Sequence, residues 1–172
     1  REGLLTPPFR ARFGVLERLE PYPVEELASI GTRSSGLLGM ALTKDGATTL
    51  AMHARGTPRI VNRFVRRIRD LAQVEGRTEI DSEIAKRGLE MLGVDDDGLL
   101  PVDRAILQVL LSAEGRPVGL RTIAASIGED DRTLEAVYEP HLMRTGLVLK
   151  TPRGRILTAA AYDLLQVEAP TP

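Results

Sequence analysis

The stretch Gly56–Asp70, GTPRIVNRFVRRIRD, gathers five arginines and one aspartate in a chain whose net charge is −1. Positive charge at this density can hold DNA, hold a phosphate, or keep a helix in water. Arg59, Arg63 and Arg66 recur at i, i+4 and i+7, so on a helix they share one face. That pattern alone suits a solvated face as well as a binding one. Arg59 differs from the others because it follows Pro58, a favoured first residue of a helix. There the unpaired backbone N–H groups and the helix dipole favour an anion, and arginine can grip a phosphate with a forked pair of hydrogen bonds.

Two further cationic stretches compete for a role. PPFRARFG carries Arg10 and Arg12 where prolines keep the chain irregular. An arginine there is either an ordinary surface residue or a finger that neutralises charge on a neighbour's γ-phosphate. KTPRGR lies in an acid-free window from Pro140 to Ala161 that holds Arg144, Lys150, Arg153 and Arg155. Gly154 permits a tight turn, which is expected to present Arg153 and Arg155 at its tip for a DNA backbone, the other reading being a charged loop. GVDDDGLLP lacks the spacing and terminal Glu of a calcium loop, and neither His53 nor His141 has a ligand-spaced partner, so no metal site is expected. Ser34, Ser35, Ser112 and Ser126 lie in no nucleophile-elbow context, and Walker A and G-x-G-x-x-G motifs are absent.

The elements that must position these residues are mainly helical. The chain has 172 residues, 42% hydrophobic, with three Phe, three Tyr and no Trp, so its cores are aliphatic. It has no Cys, which excludes disulfides and thiolate metal sites and favours a reducing compartment. No apolar run reaches the roughly 18 residues a membrane span needs, and no signal-like start is present. The first residue is Arg1, and the chain reads as an excised piece of something longer. Within residues 1–22, two prolines interrupt any helix, and VLERLEPY alternates as a short strand would. From Pro23, a plausible first helical residue, Val24, Leu27, Ile30 and Leu37/Leu38 recur near a 3.6 period. A second helix is capped by Thr43 and stopped at Gly56. A third runs from Pro58 towards Gly76 with Ile60, Phe64, Ile68 and Leu71 as its apolar stripe, and a fourth spans roughly 81–92.

This small four-helix bundle (23–92) ends at an acidic connector, 93–101. Beyond it, three helices precede LVLKTPRGRILTAA, where the apolar period changes to two, as in a β-hairpin. Two of those helices flank a Gly-containing turn, so residues 102–167 have the parts of a winged helix, and 168–172 are a disordered tail. Residues 1–92 hold 15 Lys/Arg against 12 Asp/Glu, a net of +3, and residues 93–172 hold 8 against 12, a net of −4. Neither half is basic enough to bind nucleic acid by bulk charge, so any such role rests on a local cluster.

GLLTPPFRARFG, GTPRIVNRFVRRIRD, LGVDDDGL, PVGLRTIAASIGED, YEPHLMRTGLV and TPRGR, in this order along the whole chain, resemble the RuvB family, the bacterial Holliday-junction branch-migration motors. The resemblance implies the end of an AAA+ ATPase core (1–22), a helical lid and a C-terminal winged helix, in a hexameric, cytoplasmic, nucleoid-associated machine that works with a RuvA-type partner. It implies Arg12 as an arginine finger acting in trans, and Tyr22, Pro58 and Arg59 as contacts to ATP, Arg59 as sensor 2. It implies Lys150, Arg153 and Arg155 as DNA contacts. Walker A, Walker B, sensor 1, the Mg2+ ligands and the RuvA-binding segment would all lie upstream of Arg1. Pro21 stands where the family has an aromatic residue, and Lys150 where it has arginine, which keeps the charge and loses the fork. Two other readings are a replication initiator of the origin-recognition type, whose winged helix reads sequence, and a winged helix that binds protein.

Overall fold

A computed structural model describes residues 7–10, 12–15, 17 and 19–170. The architecture is mainly α, as the sequence predicts, with two hydrophobic cores in succession along the chain. The first is enclosed by α1 (Val24–Leu37), α2 (Lys44–His53), α3 (Pro58–Val74) and α4 (Ser82–Met91). Leu27, Leu50, Val61, Phe64, Ile68 and Ile84 are its largest members. A short parallel ladder, β1 (Ala41–Leu42) with β2 (Glu79–Ile80), ties the entries to α2 and α4 together. Two-residue strands carry too little alternation to be read from sequence.

Local chemistry explains the helix starts. The Thr43 hydroxyl accepts the Gly46 N–H at 3.1 Å, and Asp81 accepts the Ile84 N–H at 2.9 Å, each satisfying a donor the helix cannot. Pro58 opens α3 as expected, whereas Pro23 is the N-cap of α1 and Val24 its first residue. Both apolar stripes are rotated from the expected ones. In α3 the buried residues are Val61, Phe64, Val65, Ile68 and Ala72, leaving Ile60 and Leu71 half-buried. In α1 they are Leu27, Gly31 and Ser35, with Val24 and Leu37 exposed. Small residues let α1 approach α3 closely, and Ser35 satisfies its hydroxyl by donating to the Met40 carbonyl at 2.8 Å.

The described residues of 15–22 contain no strand, against the alternation of VLERLEPY; Leu16 and Arg18 of that stretch lie outside the described residues. Pro7–Arg10 instead makes a single helical turn, the one place where prolines suit a helix.

The second core is built by α5 (Pro101–Leu111), α6 (Leu120–Ile127), α7, the hairpin β3 (Val148–Thr151) and β4 (Gly154–Leu157), and α8 (Ala159–Leu165). Helix α7 joins Asp131–Thr133, a π-turn at Leu134–Tyr138 and Glu139–Arg144. Pro140 lies in the last stretch of this helix, four residues before its end. It has no N–H to give and its ring crowds the preceding turn, and the wider π-turn before it accommodates both faults. Asp130 caps the start by accepting the Thr133 N–H at 2.9 Å, which holds its carboxyl below the usual range. The hairpin pairs Val148↔Leu157 through Thr151↔Gly154, and Val118 adds a bridge to Arg155. Helix α8, capped by Thr158, was not legible in TAAAYDLLQ; Ala161 and Tyr162 face the core.

The acidic stretch between the cores is a tied turn. Asp95 accepts N–H bonds from Asp97 and Leu99 at 3.0 and 2.8 Å, and Arg104 reaches Asp95 at 2.7 Å and also Asp97. Val94 belongs to the first core and Leu99 to the second, and Pro101 already starts α5. A second joint lies beside it. Arg55, at φ 55, points its guanidinium at Asp103 and at the Gly98 carbonyl 3.3 Å away, while Arg144 donates to the Arg55 carbonyl at 2.9 Å. Asp103 is fully buried and also accepts the Leu100 N–H at 2.7 Å, so one carboxylate caps α5 and binds the preceding bundle.

Candidate functional site

Two separate cationic surfaces emerge. The first is at the start of α3. Tyr22 donates its backbone N–H to the Gly56 carbonyl at 3.0 Å, which pins the segment before α1 against the turn that opens α3. Pro21 sits directly on Gly56, whose φ of +72 and missing side chain leave room for it. The ring of Tyr22 is left about half exposed, at 46%. Tyr22, Thr57, Pro58, Arg55, Arg144 and Glu20 line a cleft of about 240 Å3 at this place.

Arg59 follows on the first turn of α3, exposed, and no acidic residue occupies that turn. Its guanidinium has no carboxylate partner among the described residues. The later arginines are differently employed. Arg63 lies over the Phe64 ring at 5.6 Å, Arg66 donates to the Asn62 carbonyl at 3.3 Å, and Arg69 pairs with Asp70 at 2.6 Å. Arg67 is 4.0 Å from the same Asp70. Exposed pairs of this kind are worth about 0–1 kcal/mol, which suits a solvated face.

Arg12 is exposed, and its backbone N–H meets the Phe9 carbonyl at 3.2 Å. Phe9 and Phe13 pack edge to face at 5.5 Å on either side of it. Arg10 ends the helical turn, and its side chain lies outside the described residues.

The second surface is the wing, and here the expected geometry needs correction. Arg153 occupies the hairpin turn, exposed and without a carboxylate partner among the described residues. Arg155 does not share the tip. Gly154, at φ +147, turns the chain so that Arg155 pairs in register with Lys150 across the hairpin. Its guanidinium lies against α7 in a two-point bond with Glu139, through Nε and, at 3.1 Å, Nη2. The side chains of this pair are 10% and 5% exposed. The Glu139 bonds raise the Arg155 guanidinium still further above its already high value. Lys150 is 3.2 Å from Glu135 and 3.9 Å from Glu139. Sequence reasoning missed both carboxylates, because the acid-free window begins one residue after Glu139. Their i, i+4 spacing directly before the wing was the available signal.

Of the two histidines, His53 makes a ring-nitrogen bond with the Thr49 carbonyl at 2.8 Å. Both ring nitrogens of His141 are buried without partners beside the Arg55–Asp103 joint. Burial pushes its pKa down to about 4, with Arg55 and Arg144 acting in the same direction and Asp103 opposing. Among the described residues no helix is long and apolar enough to cross a membrane.

Comparison with known proteins places these surfaces in a family. Residues 22–95 match the family model of the RuvB AAA lid domain, and residues 96–166 that of the RuvB C-terminal winged helix domain. The Holliday junction branch migration complex subunit RuvB of Limosilactobacillus reuteri is 46% identical over 172 residues, 99% of this chain and 51% of that protein. Its counterpart from Synechocystis is 48% identical over 171 residues, 99% of this chain and 47% of the relative. The solved structure of the Thermotoga maritima RuvB Holliday junction branch migration motor matches with a TM-score of 0.92 at 42% identity. That match covers 99% of this chain and 57% of the other. The chain thus spans about half the length of the curated relatives it matches. The replication-initiator reading finds no support in these comparisons. With both family models and relatives along its length in agreement, the chain belongs to the RuvB family.

Proposed function

We propose that this chain forms the lid and DNA-holding end of an ATP-driven motor that moves Holliday junctions by branch migration in recombination and repair. Its working form is a homo-hexamer in the bacterial cytoplasm, at the nucleoid, with a RuvA-type junction-binding partner. The observation that carries this reading is the separation of two uncancelled cations onto two bodies. Arg59 stands on the first turn of the helix whose Pro58 lines a cleft with the half-exposed Tyr22, and Arg153 stands at the tip of a hairpin.

The first surface suits a nucleotide. ATP supplies the free energy of phosphoryl transfer when bound, with its Mg2+ held by residues outside this chain. Arg59 meets its phosphates with a charge-assisted fork, at a helix start that favours anions. Tyr22 offers a flat face, and Pro58 fixes the turn that carries Arg59. Arg12, exposed and with no carboxylate partner for its side chain among the described residues, acts on the nucleotide of the neighbouring subunit. The wing suits a phosphate backbone, with Arg153 and Lys150 as the accessible charges and Arg155 bracing the hairpin against α7.

The test uses the full-length protein and measures nucleotide binding, hydrolysis and duplex binding on the same variants. Arg59→Ala is expected to weaken nucleotide binding and uncouple hydrolysis from DNA movement while leaving duplex binding intact. Arg12→Ala is expected to keep ATP binding and lose hydrolysis, with partial recovery in rings mixed with a Walker A-defective subunit whose finger is intact. Hydrolysis and coupling that survive Arg59→Ala unchanged would remove the sensor role. Demonstrated mixed rings without recovery would remove action in trans.

A further inference from the structure

The wing's cations differ in what already neutralises them. Glu139 and Arg155 form a buried two-point pair, and Arg155 is further held by backbone bonds with Val118 at 2.8 and 2.9 Å. That pair is a permanent brace between hairpin and α7, because separating it would strand two charges away from water. The outer pair is different. The side chains of Lys150 and Glu135 are 47% and 53% exposed, and they meet at a single contact of 3.2 Å. Solvent-exposed single contacts are weak and easily exchanged. Glu135 also lies 3.9 Å from the Arg155 guanidinium, so its carboxylate sits between the only two wing cations that are register partners. An anion at that position occupies the place a DNA phosphate would take on the same lysine. Arg153, two residues from the nearest of them, has no such carboxylate among the described residues.

We propose that Glu135 is a built-in, displaceable counter-ion of the wing: it holds Lys150 while DNA is absent and yields it to a backbone phosphate. This rests on the reading of the wing as a DNA contact. The exchange forms one lysine–phosphate pair for each lysine–carboxylate pair lost, so Lys150 adds little net affinity. The exchange leaves Glu135 near the phosphate as a repulsive neighbour, which keeps each grip short-lived. A wing that must release and regrip DNA benefits from such a neighbour, whereas one reading a fixed site does not.

The experiment measures binding of the intact protein to a short fluorescent duplex of mixed sequence, with a non-hydrolysable ATP analogue, across about 50 to 200 mM salt. Glu135→Gln keeps the side chain's shape and removes its charge. It is expected to tighten binding about two- to fivefold and to steepen the salt slope by up to about one. In a Lys150→Ala background the same substitution should give a smaller gain, because only the repulsion of the phosphate is left to remove. Glu168→Gln, an exposed carboxylate removed just beyond the domain, serves as the control for net charge. No tightening by Glu135→Gln, or an equal gain in the Lys150→Ala background or with Glu168→Gln, overturns the proposal. If Lys150→Ala and Arg153→Ala both leave duplex binding unchanged, the wing reading itself fails and the counter-ion falls with it.

Discussion

The tripeptide Thr-Pro-Arg occurs twice, at 57–59 and at 151–153, and the two copies adopt different structures. In the first, Pro58 begins a helix of 17 residues and Arg59 stands on its opening turn. In the second, Thr151 ends a strand, Pro152 and Arg153 make the turn, and Gly154 starts the return strand at φ +147. The residues that follow decide the outcome. After Arg59 comes a long amphipathic run that buries one face; after Arg153 comes a glycine that adopts a backbone most residues avoid. Both arginines are exposed and lack carboxylate partners among the described residues, whereas Arg55 and Arg155, each near one copy, are largely covered and paired with buried carboxylates. The comparison teaches that the charges available to an outside phosphate are those the fold leaves uncancelled.

The sharpest way to break this comparison is to strip a partner from a buried arginine. Glu139→Ala is expected to destabilise the winged helix by about 3–5 kcal/mol, because Arg155 is left buried and unpaired. Arg59→Ala and Arg153→Ala should each move stability by under about 0.5 kcal/mol, as surface changes do. Calorimetric or denaturant unfolding of the three variants decides whether cancelled and uncancelled cations differ as claimed.

The glycines flanking the two copies come next. A Cβ on Gly154 would lie 2.5 Å from the Val118 carbonyl oxygen, a backbone atom in the bridge to Arg155. Gly154→Ala should cost about 2–3 kcal/mol. Gly56→Ala meets the Pro21 ring and, at 3.3 Å, the Pro21 Cα. Its φ of +72 lies in the left-handed region that alanine tolerates better than +147, so the substitution should cost less, about 1–2 kcal/mol. Equal losses in unfolding experiments would show that the hairpin turn is not specially constrained.

The binding roles are expected to separate on the same scale. Loss of a charge-assisted contact by Arg59→Ala corresponds to roughly 1.5–3 kcal/mol, so nucleotide affinity should fall about tenfold or more, with duplex binding unchanged. Arg153→Ala should do the reverse, lowering the salt slope of duplex binding by about one. A crossed result, in which Arg59 governs DNA, would reverse the assignment of the two copies.

Acid titration probes the joint beside the first copy. The folded pKa of His141, about 4, lies below its usual 6.5, so the unfolded chain binds the extra proton between these values. This contribution to stability is therefore complete above about pH 6.5 and declines as pH falls towards 4. Melting temperatures measured across that window should decline in the wild type and decline less in His141→Gln. The smallest effect is expected from Arg63→Ala/Arg66→Ala, which should leave the salt slope of duplex binding unchanged. A lowered slope there would move DNA to the arginine helix.

Much of this architecture was legible because it is local. Thr43, Asp81 and Pro58 mark helix starts through contacts with the next three residues, and a change of apolar period from 3.6 to 2 marks the hairpin. The stripe of α3 was legible at Ile60, Phe64 and Ile68 but not at Val61, Val65 and Ala72, since periodicity constrains a face only to within about a residue's rotation and packing against α1 chooses the rest. The π-turn that accommodates Pro140 was not legible, because a widened turn leaves no local signal in residue types or spacing.

Sequence alone determined the class of the fold, the order of its main helices and the hairpin, and the two Thr-Pro-Arg stretches as the places where cations stand at turns. These follow from interactions over a few residues, which composition and spacing record directly. Only the tertiary structure decided which of those cations are spent. Arg55 finds Asp103 across 48 residues, and Arg155 finds Glu139 across 16. An ion pair forms where folding brings opposite charges together out of water, and no count along a chain can show which charge that will be.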